Sequence, residues 1–181
     1  MRAIRSRNAV AAMLAGALLA VASPAIAQAS PQSSDSKAPS AAAGSTVRLK
    51  NYNSGKYLQA VSSANGARVV QQSKNDNFLQ FWSTILNTGG TLYGWENWES
   101  KKNLGIDRAS SSSGAAAITA NPSSDANQDW TKIWYGEWFA LKNRKSGLCL
   151  GISGASEANG AQAAQFPCDG SANQKWTTVP V

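Results

Sequence analysis

The tripeptide Gln-x-Trp occurs three times in register, as Gln80-Phe81-Trp82, Gln128-Asp129-Trp130 and Gln174-Lys175-Trp176, with the tryptophans 48 and 46 residues apart. Self-similarity at a fixed period of this size marks a repeat architecture. Three copies filling the chain from about Ser45 to the C-terminus imply one domain with threefold internal symmetry.

The tripeptide is only the end of each copy. When the copies are aligned on Leu58, Leu104 and Leu150, an alternating apolar segment ending in Asn precedes each leucine: Val47–Asn51, Tyr93–Asn97 and Phe139–Asn143. Alternation of this kind reads as a half-buried strand. Asn51, Asn97 and Asn143 open a turn, and Ser54, Ser100 and Ser146 follow three residues later, both types favouring turns through side-chain bonds to nearby backbone. A second strand is expected at Tyr57–Val61, Asn103–Asp107 and Cys149–Ser153. A turn then ends on Gly66, Gly114 and Gly160, each 16 residues before its tryptophan. Glycine there supplies a positive φ without steric cost. A third strand is expected at Arg68–Gln72, Ala116–Ala120 and Gln162–Phe166, and a fourth runs on from each Gln-x-Trp. Four short strands per copy make twelve, with no amphipathic helix longer than a turn. The expected fold is all-β, a β-trefoil in which six strands form a short barrel, six cap it as hairpins, and the three tryptophans lie in the core.

Upstream of the repeats, Met1–Ala27 reads as a secretory signal peptide: Arg2, Arg5 and Arg7, an apolar run from Ala9 to Val21, then the small-x-small site Ala25-Ile26-Ala27. The apolar run is shorter than the ~20 residues of a membrane-spanning helix, so no membrane association is expected once the leader is removed. Residues 28–44 are rich in Ser, Ala, Pro and Gln and read as a disordered linker. The expected domain is 45–181, with repeats at about 45–90, 91–136 and 137–181. Leader and composition suggest a bacterial protein, secreted to the extracellular medium. In such a compartment Cys149 and Cys168 read as a disulfide. The formal net charge of +7 falls to +4 without the three leader arginines. The remaining basic residues are scattered and not gathered into a stripe, which argues against a nucleic-acid partner.

Enzyme chemistry finds little support. The chain has no histidine, which excludes His-based triads and His metal ligands. Glu96 and Glu99 have opposite strand parity and point apart, unlike the paired carboxylates of a glycosidase. No catalytic residue, cofactor or metal is expected. Tyr52, Trp98 and Arg144 share one aligned position at the outward end of the first strand and mark a possible second recognition patch.

These motifs together resemble the ricin-type β-trefoil lectins, whose signature is three tandem subdomains each ending in Gln-x-Trp. The resemblance spans Ser45–Val181. It implies a shallow sugar groove in each copy, with an aromatic ring stacked on the sugar's C–H face. A carboxylate just after the second strand's Leu, and an Asn beside the Gln of Gln-x-Trp, would bond its hydroxyls. In the third copy the aromatic falls on Phe166 and the Asn on Asn173, next to Gln174, while Cys149 and Cys168 match the family's intradomain bridge. The carboxylate slot holds Gly151. The middle copy keeps Asn127 and Gln128 but has Gly105 and Ala120 in the carboxylate and aromatic slots, with Asp107 as the nearest substitute. The first copy has Gln59, Gln72 and Leu79 in the three slots. The resemblance therefore implies a non-enzymatic lectin-like module that binds galactose- or xylose-type glycans weakly, mainly through the third repeat. The alternative is a trefoil scaffold with degenerate sugar sites that binds a secreted protein, for example as a hydrolase inhibitor.

Overall fold

The computed structural model describes residues 43–86 and 93–181. The leader and nearly all of the linker expected from the sequence lie outside these residues. Twelve strands are present: β1 (Ala43–Asn51), β2 (Tyr57–Ala60), β3 (Ala67–Gln72), β4 (Trp82–Leu86), β5 (Tyr93–Asn97), β6 (Asn103–Ile106), β7 (Ala117–Ala120), β8 (Trp130–Tyr135), β9 (Trp138–Asn143), β10 (Cys149–Ile152), β11 (Ala163–Phe166) and β12 (Trp176–Pro180). β1 begins four residues before the expected Val47, because its N-terminal half pairs with β4.

Six of the strands close on themselves. β1 pairs with β4, β4 with β5, β5 with β8, β8 with β9, β9 with β12, and β12 with β1, all antiparallel. Closure leaves no free sheet edge in the barrel. The other six form the hairpins β2–β3, β6–β7 and β10–β11, joined to each other through Ala67–Thr119, Val70–Gln162 and Ala116–Ala164. The architecture is a β-trefoil, as the triplicated pattern predicts.

The core repeats with the chain. Trp82, Trp130 and Trp176 are each fully buried. Their indole N–H groups donate to the carbonyls of Leu58, Leu104 and Leu150 at 2.9, 3.0 and 3.0 Å. A buried indole needs such a partner, and the second strand of each copy provides it. Leu49, Trp95 and Leu141 complete the inward rows of the barrel. The Gln of each tripeptide ends a three-residue 3₁₀ turn at Phe78–Gln80, Ala126–Gln128 and Ala172–Gln174. Its amide closes the preceding loop, donating to the carbonyls of Ser73, Asn121 and Pro167.

The turn asparagines do more than open a turn. Asn51, Asn97 and Asn143 are buried. Their Nδ2 atoms donate to the carbonyls of Asn173, Leu79 and Asn127 at 2.9, 2.9 and 2.7 Å, tying each copy to the copy beside it. Their Oδ1 atoms accept from the backbone N–H of Ser54, Ser100 and Ser146. The symmetry breaks where side-chain length fails. Ser54 and Ser146 donate to Gln71 and Gln165 at 2.7 Å. Ser100 Oγ is buried without a partner, because the equivalent position holds the shorter Thr119.

Candidate functional site

The third copy carries a groove of about 380 Å³. One wall is Ile152, at the end of β10, with Gly154 and Ala155 from the turn that follows. Opposite stand Phe166 and Pro167, at the end of β11, and the loop residues Asp169, Ser171, Asn173 and Gln174. Gly154 and Ala155 both have positive φ, +62° and +49°, which turns the chain away and leaves the mouth open. Phe166 sits on the Cys149 end of β10, paired in register with that residue. The Cys149–Cys168 disulfide then pins the chain two residues beyond the ring. The groove wall is thus fixed covalently where it leaves the sheet.

The polar groups around this ring are oriented. Asn173 Nδ2 donates to the Ile152 carbonyl at 2.9 Å, and its Oδ1 accepts from the Ser171 hydroxyl at 2.8 Å. Gln174 is buried beneath, its Nε2 donating to the Pro167 carbonyl and its Oε1 accepting from the Asp169 N–H. Phe166, Asn173 and Gln174 therefore meet in one groove, with Gln174 as its floor. The place expected for a carboxylate is empty of side chain. A Cβ on Gly151 would lie 3.0 Å from Gln174 Cγ and 3.4 Å from both Asn173 Nδ2 and Phe166 Cδ2, so these neighbours have closed over the glycine.

A carboxylate reaches the groove from elsewhere. Asp169 lines it, and Oδ1 accepts from the Ser171 N–H at 2.9 Å. Hydrogen bonds from the Ser171 side chain, and then from its backbone, hold this carboxyl below the usual carboxylate range. One oxygen thus shapes the loop while the group stays ionised at the rim. The equivalent positions, Asn75 and Ser123, make the same local turn by accepting from the N–H two residues on. Only the third copy places an acid there. Sequence reasoning passed over Asp169; comparing the residue seven before each tryptophan would have singled it out.

The other candidates are arranged differently. Asn127 is 8% exposed, with Oδ1 accepting from the Ile106 N–H at 3.0 Å. Gln128 is buried and accepts from Asn103 Nδ2 and the Ser123 N–H. Asp107 begins a separate 3₁₀ turn, Asp107–Ala109, and is exposed. Gln59 Oε1 accepts from Asn75 Nδ2 at 3.1 Å and Gln80 Nε2 at 3.0 Å, which fixes it to its own loop. In the first two copies the polar groups at these positions are largely engaged in holding the fold, as Asn173 and Gln174 also are in the third; the third copy differs in adding the ring of Phe166 and the carboxylate of Asp169.

Tyr52, Trp98 and Arg144 lie at the seams between copies. Their backbone N–H groups donate to the carbonyls of Lys175, Phe81 and Asp129. Trp98 packs on Phe78 at 5.0 Å between ring centroids, and Lys101 Nζ lies 4.6 Å over its ring. Among the described residues, no group of three or more His, Cys, Asp or Glu side chains is placed to hold a metal, and no helix is long and apolar enough to cross a membrane.

A family model described as a ricin-type β-trefoil lectin domain-like region matches residues 33–121 and 126–181. Among solved structures, the chain is similar to the designed threefold-symmetric protein ThreeFoil, at 32% identity and a TM-score of 0.72, over 75% of this chain and 99% of that one. It is also similar to part of an exo-β-1,3-galactanase from Clostridium thermocellum, at 27% identity and a TM-score of 0.73, over 76% of this chain and 30% of the galactanase. The ricin B-like lectin of Macrolepiota procera, solved with lactose, shares the fold at 17% identity and a TM-score of 0.66, over 76% of this chain and 96% of the lectin. No curated protein matches the chain.

Proposed function

The chain belongs to the ricin-type β-trefoil lectin-like domain family, and we propose that it is a secreted, non-enzymatic carbohydrate-binding protein. Its ligands are galactose- or xylose-type glycans, bound mainly in the third-repeat groove. The observation that carries this reading is the placement of Phe166 in one open groove with oriented polar groups on Asn173, Ser171 and Asp169. A flat apolar wall with a few convergent polar groups is what a sugar requires: its C–H face stacks on the ring and its hydroxyls take up the polar atoms.

Binding is weak on this account. A charge-assisted bond to a hydroxyl contributes about 1.5–3 kcal/mol, and a site of millimolar affinity has only ~4 kcal/mol in total. With glycine at position 151, the carboxylate comes from the loop after β11, at Asp169, and not from the sheet. The disulfide, which restrains that loop, partly offsets the loss. The reading is tested by retention of the purified protein on immobilised galactose and on xylan, with Phe166→Ala as control. Retention that the variant loses supports it, and a folded protein that elutes with the void contradicts it.

The engagement of Asn127, Gln128 and Gln59 in holding the fold favours a second reading, a scaffold that presents its loops to a secreted hydrolase. That reading predicts capture of a protein from culture supernatant under conditions where neither sugar matrix retains the chain.

A further inference from the structure

The loop that lines the third-repeat groove has a second neighbour. A Cβ on Gly170, between Asp169 and Ser171, would stand 3.6 Å from Cε1 and Oη of Tyr135, so that ring packs against the back of the groove's own loop. Lys175 follows directly after Asn173 and Gln174. Its Nζ lies 5.2 Å from the Tyr135 ring centroid and 5.9 Å from that of Tyr52. Tyr52 in turn meets Trp138 edge-on at 4.7 Å. Tyr52 and Tyr135 remain 51% and 38% exposed. Three aromatic rings and one ammonium thus continue outward from the groove.

The position of Lys175 carries a base in this copy alone. Phe81 and Asp129 occupy the position of Lys175 in the other copies, and Asp129 pairs with Arg144. Among the described residues no acidic side chain forms an ion pair with Lys175. A cation held against exposed rings without an acid is a site for an anion that also carries an apolar face.

We infer that Tyr135, Tyr52, Trp138 and Lys175 form a second subsite, adjoining the groove, for a glycan unit that bears a carboxylate or sulfate. The unit's C–H face stacks on the tyrosines and its acid group meets Lys175. The inference rests on the sugar-binding reading of the groove, which takes the neighbouring neutral unit.

The test is calorimetric titration of the full chain with matched galacto- and xylo-tetraoses, each neutral or carrying one glucuronic acid unit. The acidic member should bind about tenfold more tightly at low salt. Lys175→Gln should erase that preference, and added salt should narrow it. Equal binding of the two members, or a preference that survives Lys175→Gln, overturns the subsite. Phe166→Ala separates the two claims. Neutral binding lost in that variant, with no acidic preference in the native chain, leaves the groove and removes the subsite. Lys175-dependent acidic binding that Phe166→Ala does not weaken keeps the subsite and removes the groove. No binding of any member removes both.

Discussion

Arg144 donates twice to Asp129: its backbone N–H reaches the Asp129 carbonyl at 2.9 Å, and its Nη1 lies 3.2 Å from Oδ2. The first bond recurs at all three seams, from Trp98 to Phe81 and from Tyr52 to Lys175. The second does not. The variable residue of each Gln-x-Trp is therefore the point where one copy meets the next, with a constant backbone bond and a changing side-chain chemistry. Because Arg144 is largely exposed, the ion pair itself contributes little. Arg144→Ala is expected to cost less than ~1 kcal/mol in urea denaturation. Asn143→Ala, one residue earlier, removes a buried amide that donates to the Asn127 carbonyl and accepts from the N–H groups of Lys145 and Ser146. It is expected to cost about 2–3 kcal/mol.

The three core tryptophans should behave alike. Phe in place of Trp82, Trp130 or Trp176 deletes one indole bond to a second-strand carbonyl and leaves a small void. Each substitution is expected to cost roughly 2–4 kcal/mol, the three agreeing within ~1 kcal/mol. Denaturation midpoints that single out one tryptophan as dispensable would contradict a threefold core.

Much of the fold was legible because its determinants recur. Three in-phase tryptophans, with Asn, Ser, Leu and Gly at matching distances, leave one symmetric solution, and Trp82, Trp130 and Trp176 occupy matching places in it. The site was less legible. Phe166 and Asn173 sit at strand and turn ends, where alignment of the copies reaches. Asp169 lies in an irregular loop, where neither strand parity nor helical period says which way a side chain points. The bridging role of Asn51, Asn97 and Asn143 was also hidden, since a turn signal reports local bonds and not bonds to the carbonyl of another copy. The same holds for Tyr52 and Lys175, which come together only when the third copy closes against the first.

Reduction of the disulfide tests how the groove wall is held. Cys149 and Cys168 are 19 residues apart, and a loop of that size corresponds to about 3 kcal/mol in the chain-entropy model. Because Phe166 and Asp169 flank Cys168, Cys149→Ala/Cys168→Ala should weaken sugar binding several-fold at a temperature where the variant is still folded by circular dichroism. Unchanged affinity would show that the loop holds its shape without the bridge.

The two glycines of the vacant carboxylate slots should differ. A Cβ on Gly105 would stand 2.8 Å from Asn127 Oδ1, which accepts from the buried Ile106 N–H. Gly105→Ala must displace that bond and is expected to cost about 1–3 kcal/mol. At Gly151 the nearest contact is 3.0 Å to Gln174 Cγ, and Gly151→Ala is expected to cost less. Thermal melts of the two variants give the order directly.

Asp169 sets a pH dependence. Its folded-state pKa lies below the ordinary carboxylate value because Ser171 bonds the charged form. The stabilisation this provides is present in full above the unfolded value, near pH 4, and is lost as pH falls through the lower folded value. Sugar affinity should follow the same course, level from pH 7 to about 4 and declining below. Asp169→Asn should bind about tenfold more weakly at pH 7 and lose the decline. An acid-induced loss of binding already complete at pH 5 would assign the effect to another group.

The most direct test is a monosaccharide titration of the intact protein followed by ¹⁵N NMR, with galactose and xylose raised to tens of millimolar. The expected result is saturable shifts confined to the amides around Phe166, Asp169 and Asn173, abolished by Phe166→Ala while the rest of the spectrum is preserved. A folded protein whose spectrum neither sugar perturbs, or shifts that persist in Phe166→Ala, would contradict the account.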